Sequence, residues 1–89
     1  MKLRNDVLPA EQVYAILANE RRRRAIEQLG SVGGTVSVNE LSTLVAARET
    51  GERPPPTRCR ESVYTSLVQT HLPKLADAGV ITYDRESQT

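Results

Sequence analysis

Three consecutive prolines, Pro54, Pro55 and Pro56, constrain this chain more than any other feature. Proline lacks a backbone N–H, and its ring collides with the carbonyl four residues earlier, so a helix cannot run through it undisturbed. Residues 51–58 (GERPPPTR) are therefore expected to form an extended, polyproline-like connection. This connection divides the chain into an N-terminal part with several short helices and a C-terminal part with one long helix.

Ahead of the connection, residues 1–8 are polar at first and are expected to be a flexible segment preceding a domain over residues 9–89. Pro9 suits the first turn of a helix, and Val13, Ile16 and Leu17 recur at helical spacing up to about Ala18. Asn19 is a strong N-cap for a second helix over 20–29, with Glu20 in the positive first turn and Ala25, Ile26 and Leu29 as its inner stripe. Gly30 is expected to end that helix, and Gly33 with Gly34 to make a turn. Thr35 and Val36 are β-prone. Ser37 and Glu40 then form a capping box for a helix carrying Leu41, Leu44, Val45 and Arg48, closed by Gly51.

Beyond the prolines, Tyr64, Leu67, Val68, His71, Leu72 and Leu75 follow the i, i+3, i+4, i+7 rule, predicting a helix over 60–78. Pro73 lies inside it and predicts a bend, with the carbonyl of Gln69 left without its usual donor. Gly79 is the expected left-handed stop, and residues 80–85 alternate as a strand would. The chain has 89 residues and three aromatics, Tyr14, Tyr64 and Tyr83, so its core must come from Leu, Val, Ile and Ala. That composition suits one domain of thinly layered helices. The expected class is mainly α (α+β): a winged helix-turn-helix of three to four helices with a short β-hairpin wing.

The residues also resemble a family. The segment Leu17, Ala18, Asn19, Glu20, Arg21, Arg22, Arg23, followed by Ala25 and Ile26, is similar to the start of ArsR-type winged-helix regulators. The segment from His71 through Leu72, Leu75, Ala78 and Gly79 to Val80 and Ile81 resembles the HL-x-x-L-x-x-AG-[LV]-[IV] pattern of that family. From about Val13 onward the chain most resembles an ArsR-like winged-helix domain family of haloarchaea. The shared features are the NERRR start, the run Val63, Tyr64, Thr65, Ser66, Leu67, and the run from Gln69 through Leu75. The resemblance implies a DNA-binding transcription regulator that works as a homodimer. Two features depart from the pattern. The connection before the long helix is longer than an ordinary helix-turn-helix turn, and the sequence stops at Thr89 without a return strand for the wing.

On that fold, the 60–78 helix is expected in the major groove of double-stranded DNA. With Val68 at the centre of the buried stripe, Ser62, Ser66, Gln69 and Thr70 point away from the core, and Thr65 joins them. Gln pairs bidentately with adenine, and Ser or Thr reaches bases or phosphates. Arg58 and Arg60 near the helix start, with Lys74 and Arg85, are the expected phosphate or guanine contacts. Four successive arginines, Arg21 to Arg24, radiate around one helical turn, so they divide between structural pairing and backbone contact. Val13, Ile16 and Leu17 are the expected dimer surface. The alternative is a winged-helix protein-protein interaction module without DNA binding, in which Tyr64, Tyr83 and the proline loop meet a partner. A net charge of +1 favours that alternative.

His71 falls on the apolar stripe and reads as a buried, hydrogen-bonded histidine. Cys59 is the one cysteine, which excludes an internal disulfide and suits a passive thiol in a reducing compartment. With one Cys and one His, a metal site is not expected. Neither a phosphate-binding glycine loop nor a nucleophile–base pair stands out, so neither catalysis nor a cofactor is expected, and no small-molecule effector is identifiable. The absence of a signal sequence or a long apolar run makes the cytoplasm the expected location, away from membranes.

Overall fold

A computed structural model describes residues 1–4 and 8–89. In order, it contains β1 (Lys2–Leu3), α1 (Ala10–Leu17), α2 (Glu20–Val32), α3 (Val38–Thr50), α4 (Thr57–Ser66), a π-helical turn (Leu67–His71), α5 (Leu72–Asp77) and β2 (Ile81–Thr82). The fold is mainly helical with a small antiparallel sheet, compatible with the expected α+β winged-helix class.

Local chemistry places most helix ends. The Asn19 side chain accepts from the Arg22 amide at 3.0 Å, satisfying one orphan donor at the start of α2. Ser37 does the same for Glu40 at 3.1 Å at the start of α3. Gly51 closes α3 at φ 74°, in the left-handed region that glycine enters without steric cost. Gly30 does not end α2. The helix continues to Val32, and Gly33 is the left-handed cap. At Gly30 a Cβ would meet Leu3 Cδ1 at an ordinary contact distance of 3.5 Å, so the helix runs through this position without strain.

Helix α4 begins at Thr57, so Thr57 and Arg58 belong to it and the connection proper ends at Pro56. Proline fixes its own φ near the helical value and lacks only an N–H that the first turn leaves unpaired, so a helix can start directly behind it. The break expected from Pro73 takes the form of the π-turn, whose last bond runs from the Leu72 amide to the Leu67 carbonyl. Widening the turn by one residue accommodates the ring and shifts the buried stripe. Val63, Leu67, Leu72 and Leu75 are fully buried, whereas Val68, expected at the centre, is half-buried.

The core is aliphatic. Leu29 of α2, Leu41 and Val45 of α3, Val63 of α4 and Leu67 of the π-turn pack together with Ile81 and Met1. Helix α3 packs chiefly against α4, and α2 bridges α1 and α3.

The largest departure from the sequence reading concerns the N-terminus. Residues 1–4 do not fray. Lys2 pairs with Thr82 and Leu3 with Ile81 in the antiparallel sheet, and Met1 is buried. Asn5, Asp6 and Val7 of the expected flexible segment lie outside the described residues. Thr35 and Val36 form no strand of their own, but Val36 exchanges two bonds with Met1, at 2.8 and 3.0 Å. The partner of β2 is thus the start of the chain, not a hairpin return. Burial of Met1 and Leu3 against the helices supplies the apolar stabilisation that an isolated two-residue strand lacks. The C-terminal segment nevertheless reverses. Asp84 and Thr89 exchange amide–carbonyl bonds at 2.8 and 3.3 Å, closing a loop over residues 85–88.

Candidate nucleic-acid interface

The inward face of α4 is set by Val63 and Leu67, so the residues opposite them face outward. Arg58, Glu61, Ser62 and Thr65 are exposed there, and Gln69 and Thr70 continue the exposure through the π-turn. At spacings of four, three and four, Arg58, Ser62, Thr65 and Gln69 form one polar stripe. Its flanks differ. On one side, Arg60 and Tyr64 are half-buried and, with Asn39, Glu61 and Thr65, line a shallow cleft of about 420 Å³ beside the start of α3. On the other, Ser66 is not part of the outer face. It is half-buried and accepts from Arg21 Nη1 at 3.2 Å. The cause is the same shift of the stripe: centring burial on Val63 and Leu67 turns Ser66 towards α2.

Two further expected contacts stand apart from the stripe. Lys74 is exposed but lines a second cleft with Gln12, Ala15 and Ile16 of α1, and with Asp77 and Ala78. Arg85 is exposed on the C-terminal loop. Asn39 and Glu61 were missed in the sequence reading. Asn39 follows the Ser37 cap by two residues, where a side chain stands clear of the helix, and Glu61 sits one position before Ser62 on the outer face.

The four arginines of α2 all have intramolecular partners. Arg21 meets Glu49 in a bidentate pair, both bonds 2.8 Å, and so ties α2 to α3 as well as to Ser66 of α4. Arg22 is 6% exposed and donates to the Ile16 carbonyl at 2.6 Å and the Ala15 carbonyl at 2.8 Å. Arg23 donates to Leu17 at 2.9 Å, and Arg24 pairs with Glu20 at 2.8 Å. Arg22 and Arg23 thereby satisfy the orphan carbonyls at the negative end of α1. Arg58, Arg60, Lys74 and Arg85, by contrast, make no ion pair among the described residues.

His71 is buried as expected, at 6% exposure, but its Nδ1 has no hydrogen-bond partner among the described residues. Burial holds its pKa below the ordinary 6.5, and repulsion by Arg22, Arg21 and Lys74 adds to the effect. Cys59 is half-buried against the core. No group of three or more His, Cys, Asp or Glu side chains suited to a metal ion occurs among the described residues. Among the described residues, no helix is long and apolar enough to cross a membrane.

The expected dimer surface changes composition. Ile16 is 4% exposed and belongs to the core, because α1 turns it towards α2, while Val13 and Leu17 are half-buried. Tyr14 is the large hydrophobic residue that α1 leaves exposed, at 76% exposure.

Residues 14–89 match a family described as a domain of unknown function (DUF7344). The chain belongs to that family. The matched region begins in α1 and includes the stripe, the cleft and the C-terminal loop, so the family pattern contains the whole candidate interface. No curated protein and no solved structure matches the chain.

Proposed function

We propose that this chain is a DNA-binding, transcription-regulator-like module of the ArsR-like winged-helix type. It acts in the cytoplasm as a homodimer, binds rather than catalyses, and places α4 in the major groove of duplex DNA. One observation carries the reading. The outer face of α4 offers hydrogen-bonding side chains at groove-reading spacing, and Arg58 and Arg60 make no ion pair among the described residues, while the arginines of α2 are all engaged internally. In the proposed dimer, Tyr14, Val13 and Leu17 of α1 face the second copy.

The test is a fluorescence-anisotropy titration with a random-sequence duplex at several salt concentrations. Three phosphate contacts per domain, from Arg58, Arg60 and Arg85, predict a slope of log K against log salt of about −2.7 per domain. Arg60→Ala should weaken binding to every sequence, and Gln69→Ala should change the sequence preferred. Failure to bind even at low salt would overturn the reading.

The alternative, a protein-interaction module, is favoured by the exposed Tyr14 and the net charge of +1. Tyr64 and Tyr83 are half-buried, each packed in part against the core.

A further inference from the structure

The C-terminal loop is built internally and is moored at one residue. Beyond the paired Asp84 and Thr89, the Asp84 carboxylate accepts from the Glu86 amide at 3.0 Å, and the Ser87 and Thr89 hydroxyls lie 2.8 Å apart. The mooring is Gln88. Its carbonyl accepts from the Val38 amide at 2.9 Å, an orphan donor at the start of α3. Its side-chain oxygen accepts from the Tyr64 hydroxyl of α4. Gln88 sits at φ 56°, a conformation that costs a non-glycine residue about 1 kcal/mol and persists only where neighbours hold it.

Tyr64 is half-buried, with its ring against the core and on the wall of the α3–α4 cleft. A phenylalanine would fill that space equally well, so the core does not require the hydroxyl. The bond to Gln88 gives it a purpose. The loop therefore docks on Val38 and Tyr64, next to Asn39 and Thr65 of the cleft. Arg85 is exposed on this same loop, three residues before the Gln88 that bonds Tyr64 and Val38.

We infer that Tyr64 is a positioning residue: through Gln88 it holds the 85–88 loop beside α4, so that Arg85 meets the DNA backbone next to the groove-reading stripe. The inference rests on the DNA-binding reading proposed above. A purely structural role for Tyr64 would lower stability without coupling to Arg85.

The experiment is a double-mutant cycle of Tyr64→Phe and Arg85→Ala on the full chain, read by the salt dependence of anisotropy with a random duplex and by amide 15N relaxation of the free protein. In the wild-type background, Arg85→Ala should reduce the salt slope by about 0.9, the loss of one phosphate contact. In the Tyr64→Phe background it should change nothing further, and the amides of residues 86–89 should show increased fast motion. Gln88→Ala should reproduce Tyr64→Phe. Equal effects of Arg85→Ala in both backgrounds, or an equally rigid loop in Tyr64→Phe, would overturn the inference. A wild type that binds no DNA would overturn both the DNA-binding reading and the role of Arg85. The relaxation data would then still decide whether Tyr64 holds the loop.

Discussion

Arg22→Ala should be among the most damaging single substitutions in this chain, although a run of four arginines looks like solvated surface. Arg22 donates to Ile16 in a buried bond and to Ala15 in a part-buried one. Hydrogen bonds from a charged donor contribute about 1.5–3 kcal/mol, and a buried carbonyl stranded without a donor adds a desolvation cost. The Ala15 residue is exposed, so its carbonyl can recover water, and about 1 kcal/mol is the expected share of that bond. The Ile16 carbonyl cannot, and about 2 kcal/mol is its share. The total of about 3 kcal/mol is a large fraction of the 5–15 kcal/mol typical of a domain. For a domain of this size it corresponds to a fall in melting temperature of roughly 12–24 °C. Urea and thermal unfolding followed by far-UV circular dichroism would measure it. Arg23→Ala is the control, since its bond to Leu17 is exposed and should cost about 0.5 kcal/mol. Equal losses in the two variants would refute the assignment of a buried cap to Arg22.

Three further outcomes follow from the same structure. Folding expels the proton from His71, so below pH 6.5 the unfolded chain binds more protons than the folded one. Stability should therefore be level above that pH and fall progressively below it. His71→Leu should flatten the fall in a series of urea midpoints between pH 8 and pH 5, and an unchanged profile would count against it. Glu61→Gln removes a carboxylate from the cleft and the outer face of α4. On the DNA-binding reading it should tighten binding to a random duplex about three- to tenfold at low salt by lifting repulsion from phosphate; weaker binding would count against that reading. Gly30→Ala, inside α2 with room for a Cβ, should raise stability by about 0.5–1 kcal/mol, whereas Gly51→Ala at φ 74° should lower it by about 1 kcal/mol. Chemical denaturation of the pair tests whether the two glycines differ as described.

What the sequence made legible was local. Asn19, Ser37, Gly51 and Gly79 announce helix ends because each solves a problem of backbone geometry within three or four residues of itself. The location of the exposed polar stripe on α4 was legible in part. Arg58, Ser62, Thr65 and Gln69 were recognisable, but Ser66 was misplaced, because periodicity counts 3.6 residues per turn and the π-turn at Leu67–His71 inserts one more. The roles of Arg21 and Arg22 were hidden for a different reason. Their partners, Glu49, Ser66 and the end of α1, are chosen by packing between helices, and four identical residues in a row carry no information about which carbonyl or carboxylate each will reach. The strand partner of β2 was hidden by distance along the chain, since nothing near Ile81 points to Leu3.

That distance has a consequence for how the chain folds. Lys2 and Thr82 lie roughly 80 residues apart in sequence yet sit opposite each other, so the loop they close is long and its closure carries a large entropic penalty. On a ribosome the pairing of β1 with β2 must wait until residue 82 has emerged, although Met1 can meet Val36 earlier. The helices, built on contacts between neighbours in sequence, can dock earlier. The sheet is then the clasp that shuts after everything else is in place, and hydrogen exchange should find it the first part to open.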